Sequence, residues 1–276
     1  MKFFDSHCHL DLLGVTKPLA DVFELAYKNR VHSMLIPATT QESWKRIDDL
    51  IDHQLANKSA KTQPLKLYKA YGFHPYFLAQ HQLSTVVDNL VYQLQQADKA
   101  CVAVGEVGLD YASQVCSNQQ VKQRQRHLFC QQIEIANQFK KPLIIHHRKS
   151  IDDICKYLKQ HHFHYGGVVH AFSGSVQQAK NLIDLGFYLG IGGTITYSRA
   201  NKTKQAIQAV GAARLLLETD SPDMPICGKQ GQVNEPGFIP QIFYVLHNLL
   251  KHQSEYRQAD RLAQQLWQNT HQCFSL

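Results

Sequence analysis

Two histidines near the start of the chain have the spacing of a metal-binding pair. His7 and His9 are separated only by Cys8, and positions two apart on a β-strand project to the same face. Both imidazoles can therefore point at one divalent cation. The motif is weak by itself, because a chain with 16 histidines contains roughly one such pair by chance. A second copy, His162-Phe163-His164, is indeed present.

Two carboxylates follow apolar runs at points where a strand would end. Glu106 follows Val102-Ala103-Val104, and Asp220 follows Leu215-Leu216-Leu217 with two residues in between. A buried carboxylate costs free energy unless it is paired or bound to a metal ion. Both residues are therefore candidate ligands, and a salt bridge at the strand end is the simpler alternative for Glu106.

Other chemistry-bearing side chains also follow apolar runs, and they complete the candidate set: His74, His146, His147, Arg148, His170 and Glu218. On a strand that is buried on both faces, periodicity does not choose between His146 and His147. Glu218 shares a strand face with Asp220. It is either a group that supports a metal ligand or one half of a structural pair.

The elements that must position these residues alternate along the chain. Eight β-rich runs, at residues 3–9, 33–38, 66–73, 102–109, 143–147, 167–172, 187–192 and 214–220, are separated by segments of helical periodicity at 83–95, 121–139, 150–159, 176–185 and 202–210. Ser150 and Ser175 are expected N-caps, and Gly186 and Gly211 are expected C-caps. Repeated strand-helix units predict a single α/β domain over residues 1–276, a (β/α)₈ TIM barrel.

A barrel brings the candidates together. The carboxyl ends of its strands converge on one mouth, so residues from the first and last strands can share a site. His162 and His164 precede a strand instead, and we expect them at the opposite end. A doubly wound open sheet is the alternative, but it needs a glycine-rich phosphate turn after an early strand, and the sequence has none.

Composition predicts an ordinary globular protein. Hydrophobic residues make up 44% and charged residues 18%, and the net charge of +7 permits a polyanionic partner without requiring one. The seven cysteines form no C-x-x-C pair, and neither a signal peptide nor a membrane-spanning stretch is recognisable. We therefore expect a cytoplasmic protein with reduced thiols and no membrane partner. The oligomeric state stays open.

Ordered motifs run through the chain: H-x-H, G-E-V-G-L-D, P-L-I-I-H-H-R, V-V-H-A-F-S-G-S and L-L-E-T-D-S-P. With G-F-H-P at 72–75 and N-E-P at 234–236, they make residues 5–236 resemble the TatD-related metal-dependent hydrolases, a family that contains deoxyribonucleases on a barrel of the amidohydrolase type. The resemblance implies a deoxyribonuclease with DNA as its partner. It also implies two divalent metal ions bound by His7, His9, Glu106, His146, His170 and Asp220.

The resemblance also implies roles within this set. Glu106 would bridge the two metals, and Asp220 would hold the attacking water. The sequence departs from the family pattern at Lys149, at Val233 and in the lengthened loop 228–232. These positions lie on loops where substrate would rest, so they bear on substrate choice more than on the reaction.

Nitrogen and oxygen donors without thiolates suit zinc, manganese or magnesium, and a positively charged site favours a phosphodiester. We hypothesise that Asp220 takes a proton from a metal-bound water and that the resulting hydroxide attacks phosphorus. His74 would contact phosphate or protonate the leaving group, and Arg148 would clamp phosphate through two hydrogen bonds. The alternatives are hydrolysis of another ester, such as a misacylated tRNA or a lactone, and a nucleic-acid-binding protein without metal.

Overall fold

The computed structural model describes residues 1–56, 65–80 and 85–276. Its eight strands form one sheet in which every strand pairs in parallel with the next strand along the chain. The strands are β1 (Phe3–Asp5), β2 (Val31–Pro37), β3 (Lys66–Tyr71), β4 (Cys101–Asp110), β5 (Leu143–Arg148), β6 (Gly167–Val169), β7 (Phe187–Ile191) and β8 (Leu215–Leu217).

Backbone hydrogen bonds close this sheet into a barrel. The Ser6 N–H donates to the carbonyl of Leu217 at 2.9 Å, and the Asp220 N–H donates to the carbonyl of His7 at 2.9 Å. The last strand therefore lies beside the first, and the predicted (β/α)₈ barrel is confirmed.

Helices follow the strands around the outside. They are α1 (Leu10–Thr16), α2 (Leu19–Lys28), α3 (Gln41–Ala56), α4 (Val86–Gln96), α5 (Gln119–Phe139), α6 (Ile151–Gln160), α7 (Val176–Asp184), α8 (Asn201–Val210), α9 (Ile239–Leu250) and α10 (Ala259–Phe274). Short 3₁₀ helices lie at Pro75–Gln80, Gly193–Thr196, Pro236–Phe238 and Ser254–Tyr256. The start of the helix predicted at 83–95 lies outside the described residues.

The expected helix caps are found in part. Ser175 accepts a hydrogen bond from the Gln178 N–H and forms a capping box with it. Gly211 is the C-cap of α8, whereas the C-cap of α7 is Leu185, one residue before Gly186. Ser150 is the N-cap residue of α6, as expected, but its hydroxyl does not bond to a helix N–H and donates instead to the carbonyl of Leu109 at 2.6 Å.

Six of the eight predicted strands are too long at their carboxyl ends, whereas β4 and β5 each extend one residue beyond the prediction. The first was expected to reach His9 but ends at Asp5, and the last was expected to reach Asp220 but ends at Leu217. His9 instead directly precedes α1, with φ −90° and ψ 73°. Same-face strand periodicity is therefore the wrong explanation for the convergence of His7 and His9, which lie on an irregular segment.

Apolar side chains fill the inside of the barrel, one or more from each strand: Phe4, Leu35, Ala70, Val102, Ala103, Ile144, Val168, Tyr188 and Leu216. Cys273 and Phe274, at the end of α10, join this cluster. A second apolar layer packs between the strands and the surrounding helices. The interior of the barrel is therefore a packed core and not a binding cavity.

All seven cysteines are free thiols, as the sequence predicted. In the described ranges, no helix is both long enough and apolar enough to cross a bilayer.

Candidate metal centre

Glu106 lies at the centre of the barrel mouth, and its two carboxylate oxygens face different partners. Oε2 lies 3.3 Å from the Nε2 atom of His7 and 3.5 Å from that of His9. Oε1 lies 2.7 Å from Nε2 of His170 and 3.4 Å from Nδ1 of His146. The carboxylate thus divides the mouth into two adjoining clusters of donors.

Asp220 completes the first cluster. Its Oδ1 atom lies 3.4 Å from Nε2 of His7 and 3.7 Å from Nε2 of His9, and these two nitrogens are 3.3 Å apart. Donors held 2.0–2.2 Å from one tetrahedral ion are separated by about 3.3–3.6 Å. The spacing of the first cluster therefore suits a single cation.

Three overlapping groups of donors are close enough to hold an ion: His7 with His170 and Asp220, His7 with His9 and Glu106, and His74 with Glu106 and His146. These groups contain all six predicted ligands, and they add His74. The structure therefore brings the six residues together, although they come from five different strands or the segments that follow them.

Hydrogen bonds on the far sides of two imidazoles fix which nitrogen is free for a metal ion. Nδ1 of His9 donates to the carbonyl of Pro37 at 3.1 Å, which leaves the Nε2 lone pair facing Glu106. Nε2 of His146 donates to Oδ2 of Asp110 at 3.1 Å, which leaves the Nδ1 lone pair facing the mouth. Both rings are in the tautomer that a metal ligand requires.

His74, in contrast, carries its proton on the nitrogen that faces the centre. Its Nδ1 atom accepts a hydrogen bond from the Tyr76 N–H at 3.0 Å, so the proton of the neutral ring is on Nε2, 3.1 Å from Oε1 of Glu106. A protonated nitrogen cannot bind a metal ion. The hydrogen bonding therefore favours His74 as a donor to an oxygen atom, although its position would allow ligation.

The charges of the centre depend strongly on one another. Burial alone would raise the pKa of Glu106, but His170, His74 and His7 together hold that pKa well below its ordinary value. Burial lowers the pKa of His170, and Glu106 and Asp220 outweigh it, so the pKa rises to about 10. A cation that binds to His170 at neutral pH must therefore displace a proton.

The mouth opens into a cavity of about 610 Å³ above the centre. Arg148 and His74 line it together with five of the six ligands, all except His7, as do the exposed side chains of Tyr76 and Met224. With its amide oriented to satisfy both groups, the Gln114 oxygen accepts hydrogen bonds from the two terminal nitrogens of Arg148, at 2.8 and 3.0 Å. The guanidinium is thereby fixed at the cavity wall.

Comparison with known proteins places this arrangement in a family. The family model described as TatD-related DNase matches residues 4–275. The chain belongs to this family. The resemblance noted in the sequence is therefore confirmed.

Two relatives match over the whole chain. The uncharacterized metal-dependent hydrolase YjjV of Escherichia coli K12 is 37% identical over 275 residues, which is 100% of this chain and 98% of the relative. An uncharacterized metal-dependent hydrolase of Haemophilus influenzae is 37% identical over 277 residues, covering 100% of both chains. The crystal structure of YjjV superimposes with a TM-score of 0.87, covering 99% of this chain and 98% of that one. This chain is accordingly a metal-dependent hydrolase of the TatD family.

Sequence reasoning missed Asp110, although it belongs to the G-E-V-G-L-D motif of the TatD family. Asp110 is buried on the same strand as Glu106, four residues further along. Positions four apart on a strand share a face, and this spacing was the signal that could have identified it. Its carboxylate holds His146 in the tautomer described above.

A second missed residue is Asp5, beneath the first cluster. Its Oδ2 atom accepts a hydrogen bond from the Thr219 hydroxyl at 2.6 Å, and its Oδ1 atom accepts one from the Thr219 N–H at 2.9 Å. This pair fixes the backbone next to Asp220, whose φ of 60° lies in the left-handed region. Burial raises the pKa of Asp5 to about 7.

Glu218 is fully buried behind His170. Its Oε1 atom accepts a hydrogen bond from the Ala171 N–H at 2.5 Å and lies 3.9 Å from Nδ1 of His170. The carboxylate therefore fixes the backbone next to His170 and does not touch the cavity. A Cβ atom at Gly190 would overlap this carboxylate, so the packing requires glycine there.

The remaining candidates are placed as follows. His147 is buried and lines the cavity, but it joins none of the three donor groups. His162 and His164 lie before β6, at the opposite end of the barrel, and they join none of these groups either. Val233 packs against the apolar core.

Proposed function

We propose that this chain is a deoxyribonuclease that hydrolyses phosphodiester bonds at the ends of single-stranded DNA, with two divalent cations as cofactors. One observation carries the proposal: the two oxygens of Glu106 face two adjoining groups of imidazole and carboxylate donors, each with the spacing of a cation site. Neighbouring cation sites that share a carboxylate are typical of enzymes that act on phosphate esters.

The charge of the centre supports an anionic substrate. Glu106 and Asp220 contribute −2 as ligands, against +4 for two divalent cations, and Arg148 adds a further positive charge at the cavity wall. Bound cations would lower the pKa of a coordinated water toward about 7 and stabilise the negative charge that develops on the phosphate oxygens. Zinc, manganese and magnesium all accept this set of donors.

The protein side chains divide the remaining work. The Asp220 carboxylate borders the first cluster and the cavity, where it orients the attacking water and accepts its proton. Nε2–H of His74 faces the second cluster from the cavity wall and donates to a phosphate oxygen or to the leaving oxygen. Arg148, held by Gln114, contacts the phosphate through its guanidinium.

The test is hydrolysis of 5′- and 3′-labelled single-stranded DNA, duplex DNA, bis(p-nitrophenyl) phosphate and p-nitrophenyl acetate with added manganese or magnesium. We expect cleavage of single-stranded DNA from an end. The double variant His7→Ala/His9→Ala should lose activity by more than about 100-fold, because it removes two ligands of one cation.

The chain provides a matched control for this variant. His162→Ala/His164→Ala removes the other H-x-H pair, at the opposite end of the barrel, and should keep full activity. Cleavage of carboxylic esters without any cleavage of phosphodiesters would refute the proposed substrate. Full activity of the His7→Ala/His9→Ala variant would refute the metal-dependent mechanism.

A further inference from the structure

A second pocket adjoins the cavity above the metal centre. It has a volume of about 360 Å³ and shares Met224 with the central cavity as a common wall. Its lining comprises Thr194, Tyr197, Arg199, Ala200, Met224 and Pro225. These residues belong to the segments that follow β7 and β8, so the side pocket opens at the same mouth of the barrel as the candidate metal centre.

The wall between the two pockets is fixed by the fold. Met224 has a φ of 52°, a left-handed conformation that a non-glycine residue adopts only where its surroundings impose it. The Asn234 amide donates to the carbonyls of Asp223 at 2.8 Å and Met224 at 3.3 Å. A Cβ atom at Gly193 would lie 2.6 Å from the Met224 carbonyl oxygen. These contacts hold the backbone of Met224, and its side chain, which is 36% exposed, stands between the two pockets.

The side pocket presents an aromatic ring and a cation together. The Tyr197 hydroxyl donates to the carbonyl of Pro225 at 2.7 Å, which ties the ring to the segment that carries Met224. The guanidinium of Arg199 lies 4.9 Å from the centroid of this ring. An arginine next to an aromatic ring is suited to bind one phosphate and to stack on a base.

The rim of the central cavity is apolar although its floor is charged. Tyr76 is 57% exposed at the side that follows β3, and Met224 is exposed at the side that follows β8. A nucleotide combines these two chemistries, because its phosphate is anionic and the faces of its base are apolar. The side pocket, which adjoins the central cavity at Met224, offers the same combination of a positive charge and an apolar surface.

We propose that the mouth binds two consecutive nucleotides of a single strand. One lies over the metal centre, and its neighbour passes Met224 into the side pocket, where Arg199 contacts the phosphate of that neighbour and Tyr197 supports its base. This inference rests on the proposed nuclease function and adds a substrate subsite to it. The subsite makes a chain of nucleotides a better substrate than a single phosphodiester.

The experiment compares wild type, Arg199→Ala and Arg199→Lys on two substrates: a twelve-residue single-stranded oligothymidylate and bis(p-nitrophenyl) phosphate, which has a single phosphate and therefore offers no second phosphate to Arg199. Arg199→Ala should lose kcat/KM about tenfold on the oligonucleotide, the effect of one charged hydrogen bond. On the small ester it should stay within about twofold of wild type. Arg199→Lys keeps the charge and should recover part of the loss.

Binding provides a readout that does not depend on catalysis. Fluorescence anisotropy with the labelled oligothymidylate and metal-free protein should show weaker binding by Arg199→Ala. The slope of log affinity against log salt concentration should fall by about 0.7, the value for one lost contact to a single strand. Arg257→Ala removes an exposed cation from the turn after α9, at the other end of the barrel, and should match wild type in both assays.

The outcomes separate the two proposals. If wild type cleaves the oligonucleotide and Arg199→Ala equals it in both assays, the side pocket is not a subsite and the nuclease function stands. An equal loss on both substrates also overturns the subsite, because the effect would then lie at the metal centre. If wild type with added metal cleaves neither substrate, the proposed function itself fails, and the subsite with it.

Discussion

The Asp110→Asn variant tests whether a carboxylate outside the ligand set controls metal binding. In the native protein, Oδ1 of Asp110 accepts a hydrogen bond from the Ala112 N–H at 2.9 Å, and Oδ2 accepts one from Nε2–H of His146 at 3.1 Å. An asparagine has one oxygen and one NH₂ group. Whichever way the amide turns, one of the two N–H donors faces another donor, so one hydrogen bond is lost.

The loss affects the metal through the tautomer of His146. If Nε2–H has no acceptor, the proton moves more readily to Nδ1, the atom that faces Glu106 and His170. Removal of such supporting carboxylates costs metal affinity by a factor of about 10–100, or about 1.4–2.7 kcal/mol. The weakened cation should be the one next to His146, and the cation between His7 and His9 should bind as before.

The assay is calorimetric titration of metal-free protein with zinc or manganese, together with the metal content after dialysis. We expect one of two equivalents to weaken in Asp110→Asn. Asp153→Asn is the matched control, because its carboxylate also accepts side-chain hydrogen bonds, from Tyr111 and Arg126, but contacts no proposed ligand. Two equivalents of unchanged affinity in Asp110→Asn would refute the reasoning, as would an equal loss in both variants.

Three further predictions concern residues around the same centre. Asp220→Asn, assayed at saturating metal, should lower kcat by about 10²–10⁴ with little change in KM, and an unchanged kcat would exclude Asp220 as the proton acceptor. The pKa of Asp5 is about 7 when folded and 3.8 in its ordinary state, so its contribution to stability is complete below about pH 4 and is lost as the pH rises through 7. The free energy of unfolding of the metal-free wild type, measured in urea, should therefore be lower at pH 8 than at pH 5, and this difference should be smaller in Asp5→Asn. The same difference in both proteins would show that Asp5 is not its source. Gly190→Ala forces a Cβ atom into the Glu218 carboxylate and should lower the free energy of unfolding by about 1–3 kcal/mol, measured as a lower Tm. Gly192→Ala is the control: its Cβ would stay 3.5 Å from Glu218, so this variant should keep the Tm of wild type.

The barrel and the meeting of the ligands could be predicted from the sequence because both depend on strand order. Apolar runs followed by polar residues identify the strands, and parallel closure brings their ends together. The exact ends of the strands could not be predicted, since Asp5 and Leu217 are followed by segments that still pair with neighbouring backbone without forming regular ladders. The irregular segments carry His7, His9 and Asp220.

The tautomers of the histidines and the side pocket could not be predicted from the sequence, for another reason. The role of His74 depends on which nitrogen meets the Tyr76 N–H, and that contact is set by the turn geometry of Pro75–Gln80. The side pocket depends on two segments that are distant in sequence, one holding Tyr197 and the other Met224. No periodicity or motif relates them, because their contact is created only when the barrel closes.

The packed interior of the barrel determines the route by which a substrate reaches and leaves the metal centre. Side chains from every strand fill the cylinder, and the end of α10 lies beneath them, so in the described part of the chain the barrel axis is closed. A substrate that enters the mouth must leave through the same opening. A polymer therefore cannot pass along the barrel axis and be cut at intervals as it moves.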